Sequence, residues 1–177
     1  MKIYLDTNVI RDYLENRNSK SIELVECVRQ KNLECYTSTF TMMELSDLQK
    51  DTLFFQKTVV ANKWDVDKFL RQRRQKELVI EDYKNVESYL GAMTTKLPFI
   101  KFANLSEEGW KIAQTIASHS PLTAVDTIHL ATAYTANCNV LATGDKQFIE
   151  CGNEILATSK RKNEMMIMVP TDALKGL

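Results

Sequence analysis

Apolar residues in this chain fall into two patterns. Five short, nearly unbroken apolar runs are separated by longer stretches in which apolar residues recur every three or four positions. The runs are Ile3-Tyr4-Leu5, ended by Asp6, then residues 33–37, 98–102 and 139–143, and finally residues 165–169, closed by Pro170. A short apolar run bounded by polar residues is the signature of a buried strand. Between the runs, the spacing predicts a helix over residues 8–15. A second follows, capped by Ser19 or Ser21 and striped by Ile22, Leu24, Val25 and Val28. A third helix starts near Thr41, with Met42, Met43, Leu45 and Leu48 apolar. Ser106 opens a helix through Trp110, Ile112, Ala113 and Ile116; residues 123–137 form another, and residues 146–149 a helical turn. Strands alternating with helices give an α/β domain with a mostly parallel sheet.

Residues 51–90 depart from this alternation. Two helical patterns, over residues 53–75 and 80–90, run without a Gly/Pro/Ser-rich linker on either side. They read as a helical hairpin inserted into a single domain of 177 residues. With only five glycines and three prolines, helix should dominate.

Four acidic residues stand at the ends of apolar runs or at helix starts: Asp6, Glu44, Asp126 and Asp145. Each alone has a structural explanation. Thr41-x-x-Glu44 and Thr123-x-x-Asp126 fit capping boxes, and Asp6 and Asp145 fit plain N-caps. Taken together they fit something further. Ligands of parallel sheets bind outside the carboxyl ends of the strands, and helix starts lie on that same rim. Carboxylates converging there repel one another, and a hard cation such as Mg²⁺ or Mn²⁺ relieves the repulsion.

Composition narrows the choices. Apolar residues make up 44% of the chain, which excludes a disordered protein. Lys+Arg and Asp+Glu balance at 23 each, which argues against a large phosphate-binding surface but allows local patches. Two short basic clusters stand out, Arg71/Arg73/Arg74/Lys76 and Lys160/Arg161/Lys162. A solvated face is their default reading and RNA phosphate contact the functional one, with Arg71 and Arg74 on one helix face. Cys27, Cys35, Cys138 and Cys151 form no C-x-x-C pair and no zinc spacing, so they read as reduced thiols of a cytoplasmic protein. An acid after five residues argues against a secretory leader, and no apolar run approaches the roughly 20 residues of a membrane helix. His129, one turn after Asp126, reads as a partly buried histidine with a hydrogen-bond partner, with a general acid as the functional alternative, and Trp64 and Trp110 read as core residues.

Leu5-Asp6-Thr7-Asn8-Val9, Glu44-Leu45, Ala124-x-Asp126-x-x-His129-Leu130-Ala131 and Thr143-Gly144-Asp145-Lys146-Gln147-Phe148, in this order, resemble the PIN-domain family. The resemblance covers about residues 1–50 and 97–177. It implies a central parallel sheet in strand order 3-2-1-4-5 and a metal-dependent endoribonuclease, with many members being VapC-type toxins held by a protein antitoxin. It assigns Asp6, Glu44, Asp126 and Asp145 to the metal, with Asn8 and Thr143 orienting the acids or a water. Position 147 is Gln where many members carry a further acid. Four carboxylates suffice for one Mg²⁺ or Mn²⁺ and leave a second ion open. RNA, an antitoxin and a second copy of the chain are the candidate partners, and no membrane is among them. The alternative is a non-catalytic PIN-like scaffold that binds RNA or protein. A phosphatase of the haloacid dehalogenase type ranks lower, because that chemistry wants an acid two residues after the first and position 8 is Asn.

Overall fold

A computed structural model of the chain describes residues 1–160 and 164–177. It divides into two compact units: Met1–Thr41 with Pro98–Leu177, and the intervening Met42–Leu97. The first unit is built on a five-stranded, all-parallel sheet. Its strands are β1 (Lys2–Leu5), β2 (Glu34–Ser38), β3 (Ile100–Ala103), β4 (Val140–Ala142) and β5 (Met166–Met168), in the order 3-2-1-4-5. This is the order the resemblance implied. β1 lies in the centre, with Tyr4 opposite Tyr36 on one side and Leu141 on the other.

Side chains alternate across β1. Tyr4 joins Leu141 and Ile167 on a face covered by three helices, α6 (Glu107–His119), α7 (Ala124–Thr135) and α8 (Lys146–Ala157). Ile116, Leu130, Ala133, Phe148 and Leu156 complete that core. Ile3 and Leu5 point the other way and are fully buried. The helices available to cover them are α1 (Thr7–Glu15), α2 (Ser19–Gln30) and α9 (Pro170–Lys175), which pack on one another. α8 seats closely because its residue 152 is glycine: a Cβ there would lie 2.3 Å from the Cδ1 of Ile167.

Several local expectations needed correction. α2 is capped by Asn18, whose side chain accepts from the amides of Lys20 and Ser21, and not by Ser19 or Ser21. The turn expected at residues 146–149 runs on for three turns as α8, because Phe148 and Leu156 repeat at helical spacing into the core. Pro170 does not simply close β5. It starts α9, where its missing N–H costs nothing. Trp110 is 47% exposed and not a core residue, because α6 turns Gly109, Ala113 and Ile116 inward. All four cysteines are free thiols, and burial pushes the Cys35 thiol up to about 12. Among the described residues, no helix is long and apolar enough to cross a membrane.

The second unit is helical. It holds most of α3 (Thr39–Phe55), a π-helical stretch Gln56–Ala61, α4 (Val66–Gln72), a 3₁₀ turn Arg73–Gln75 and α5 (Ile80–Lys96). The helix expected over residues 53–75 is broken before Val66, where Asp65 caps α4 by accepting from the Lys68 amide. Phe54 and Phe69 stack at 5.6 Å, with Trp64 edge-on to Phe54. Two acids pin the unit, Asp82 buried and Asp51 partly so. Asp51 accepts from Arg73 and Lys76, and Asp82 from Lys57 and the Val79 amide. Burial alone would raise both carboxyls. These donors outweigh it and hold both below the ordinary carboxylate value.

A carboxyl with a depressed folded pKa contributes stability that is fully present above its unfolded value of about 3.9 and lost as pH falls through the folded value. Asp82→Asn should therefore destabilise the Met42–Leu97 unit at pH 7, and its deficit against wild type should shrink below about pH 4. Urea melts followed by Trp64 emission in a Trp110→Phe background measure this. A deficit that does not change with pH would remove the ionic explanation.

Candidate active site

The strand ends of β1 and β4 build the site. Leu5 stands opposite Ala142, so the next residues, Asp6 and Thr143, are neighbours. Thr143 Oγ1 donates to Asp6 Oδ2 at 2.7 Å. Asn8, in the first turn of α1, donates to the same oxygen at 2.7 Å and to Thr143 Oγ1 at 2.8 Å. The Asn8 carbonyl oxygen accepts from the Gly144 amide at 2.8 Å, tying the two strand ends together. Asp6 also caps α1, its Oδ1 accepting from the Thr7 amide at 2.7 Å. Three neutral donors thus fix a buried carboxylate at the carboxyl end of the central strand.

Asp145 follows Thr143 by two residues, and its amide donates to Thr143 Oγ1 at 3.1 Å. It caps α8, with Oδ1 accepting from the Phe148 amide at 3.0 Å. Asp126 forms the expected capping box of α7: Thr123 Oγ1 and the Thr123 amide donate to Asp126 Oδ2 at 2.6 and 3.2 Å, and the Asp126 amide donates back to Thr123 Oγ1 at 3.2 Å. α7 starts at the same rim as Asp6. Its His129 meets Tyr4, Ser38 and Asp6, and after its end the Asn139 amide donates to Lys2 at the start of β1. Among the described residues, neither Asp126 nor Asp145 joins Asp6 in a set of three ligand atoms within 4.8 Å of one another.

Glu44 lies on α3 in the second unit. Its expected capping box with Thr41 does not form. β2 passes straight into α3, the Thr41 amide donates to Ser38 Oγ at 3.3 Å, and Ser38 is therefore the cap. Thr41 instead makes side-chain bonds to Thr37 at 2.7 Å and Thr7 at 3.5 Å.

His129 is fully buried where a partly buried ring was expected, and the expected hydrogen-bond partner is the Tyr4 hydroxyl at 2.6 Å. Sequence reading missed that its Nε2 sits 3.8 Å from Asp6 Oδ1. The signal was present: Tyr4 and Asp6 lie two apart on one strand and so share a face. Of the basic run, Arg73 and Lys76 are committed to Asp51, while Arg71 and Arg74 are exposed. Lys160 is exposed; Arg161 and Lys162 lie outside the described residues.

Thr143 serves Asp6, Asn8 and Asp145 with one buried hydroxyl. Thr143→Val keeps the shape and removes these bonds, so it should lower stability by about 1–3 kcal/mol. Thr143→Ser should recover most of that loss in urea melts followed by circular dichroism.

The fold and the motifs agree with known proteins. The structure is similar to a crystal structure of VapBC2 from Rickettsia felis bound to a DNA fragment from their promoter, with a TM-score of 0.55, covering 94% of this chain and 97% of that one at 13% identity. No curated protein matches the chain. The PIN-domain family model matches residues 3–153, taking in all four acidic motifs. The chain belongs to the PIN-domain family.

Proposed function

We infer that this protein is a Mg²⁺- or Mn²⁺-dependent nuclease that hydrolyses RNA phosphodiester bonds, with Asp6, Glu44, Asp126 and Asp145 holding the cation. The observation that carries this reading is Asp6. It is a carboxylate buried at the ligand-binding rim of a parallel sheet and held by three neutral donors, in a chain of the PIN family. The donor chemistry fits a hard cation. Capping engages only Oδ1 of Asp145 and Oδ2 of Asp126, and each carboxylate has a second oxygen to offer.

When bound, the cation lowers the pKa of a coordinated water and stabilises charge on the phosphate. The chain's own groups set the geometry. Asn8 and Thr143 hold Asp6 in one rotamer, and Thr143 ties Asp145 to the same centre. The fold shared with VapBC2 and the family match support a role as the toxin of a toxin–antitoxin pair, restrained by a protein partner. Between residues 57 and 76, seven lysines and arginines stand against two aspartates. That excess supports RNA contact through the exposed Arg71 and Arg74.

Asp6→Asn and Asp126→Asn should each abolish RNA cleavage with the fold intact by circular dichroism. Mn²⁺ at ~100-fold excess over its dissociation constant should stabilise the wild type by about 2.7 kcal/mol. An unshifted wild-type melt would favour the non-catalytic scaffold. Arg71→Gln with Arg74→Gln should weaken RNA binding and flatten the slope of log affinity against log salt by roughly 1–1.5, at about 0.7 per lost phosphate contact. Cleavage at saturating RNA should stay near wild type. An unchanged salt slope would mark the two arginines as a solvated face.

A further inference from the structure

His129 is an imidazole placed next to a proposed metal ligand, and an imidazole nitrogen there would change which metal the site prefers. Nitrogen donors favour Zn²⁺, whereas oxygen donors favour Mg²⁺ and Mn²⁺. The surroundings of the ring decide which role it plays. Nδ1 faces two hydroxyl groups, Tyr4 OH at 2.6 Å and Ser38 Oγ at 3.5 Å. Ser38 Oγ already accepts from the Thr41 amide, which leaves its own hydrogen to donate. Nε2 faces a carboxylate oxygen, Asp6 Oδ1, at 3.8 Å. One tautomer suits these surroundings best: Nδ1 accepts from the Tyr4 hydroxyl, with Ser38 at the outer limit of hydrogen bonding, and the proton sits on Nε2 facing Asp6. The opposite tautomer would aim a lone pair at the Asp6 carboxylate.

We propose that Tyr4, assisted by Ser38, locks His129 with its proton on Nε2, so that the ring braces Asp6 and is withheld from the metal, which keeps the site selective for Mg²⁺ and Mn²⁺ over Zn²⁺. This rests on the metal-dependent reading above. Tyr4 and Ser38 are positioning residues, acting through His129. The sheet makes the arrangement: Tyr4 and Asp6 share a face of β1, and continuing the pairing of Tyr4 with Tyr36 by two residues brings Ser38 beside Asp6. α7 then lays His129 over all three. The burial of His129 keeps water from replacing Tyr4 as the partner of Nδ1.

The first test needs no variant and no metal. Long-range ¹H–¹⁵N spectra of the metal-free wild type should show His129 protonated on Nε2; a proton on Nδ1 overturns the proposal. The second test is calorimetric titration with Mn²⁺ and with Zn²⁺. Tyr4→Phe keeps the packed ring and removes the hydroxyl, so the ratio of Zn²⁺ to Mn²⁺ affinity should rise about tenfold. Adding His129→Gln should return the ratio to the wild-type value. An unchanged ratio in Tyr4→Phe, or a raised ratio that survives His129→Gln, overturns the proposal while leaving the metal-dependent reading in place. A wild type that binds neither ion, with no shift in its melt, overturns the metal-dependent reading itself. Should Tyr4→Phe fail to fold, the wild-type spectrum still decides the tautomer.

Discussion

The register between β1 and β4 is the constraint on which the rest of the site depends. Pairing Leu5 with Ala142 leaves Asp6 and Thr143 side by side just beyond the last ladder bonds. A slip of one residue would turn Asp6 to the opposite face of the sheet and part it from Thr143, Asn8 and His129 together. Burial fixes the register. Tyr4 faces the α6–α8 core while Ile3 and Leu5 face the other layer, and a one-residue slip would reverse both. The hydrophobic effect thus sets the position of the most buried acid in the chain's acidic quartet.

The carboxylates proposed to hold the cation also serve folding. Asp6, Asp126 and Asp145 each satisfy amides at a helix start that would otherwise lack partners. Each does so with one oxygen, leaving the other directed by the cap. Capping therefore restricts the rotamers of these carboxylates, and that ordering cost is met during folding. The Asp6–Thr143–Asn8 triangle extends this restriction across two strand ends and one helix.

The inserted unit follows a different logic. Its core is small, built on Phe54, Phe69, Val86 and Met93, and its acids Asp51 and Asp82 tie helices together through cations. Half of the Arg71–Lys76 run is occupied in this way. A basic run read from sequence overstates the charge open to a nucleic acid, because some of it is neutralised within the fold.

Much of the fold was legible in the sequence because buried parallel strands are nearly continuous apolar runs. All five strands fall where their apolar runs do, and the motifs around Asp6, Asp126 and Asp145 identified the family and its strand order. The boundaries of α8 and the cap of α3 were not legible. A helix end depends on which residues the sheet leaves room for, and Ser38 became a cap only because β2 runs directly into α3. The exposure of Trp110 was likewise decided by which face of α6 met α7. At the strand-end rim, sequence alone singled out Asp6, Asn8 and Thr143, which hydrogen bonds join in the structure. Only the tertiary structure set His129 between Tyr4, Ser38 and Asp6. Those residues are separated by up to 125 positions, and their meeting follows from strand register and helix packing, which local pattern does not encode.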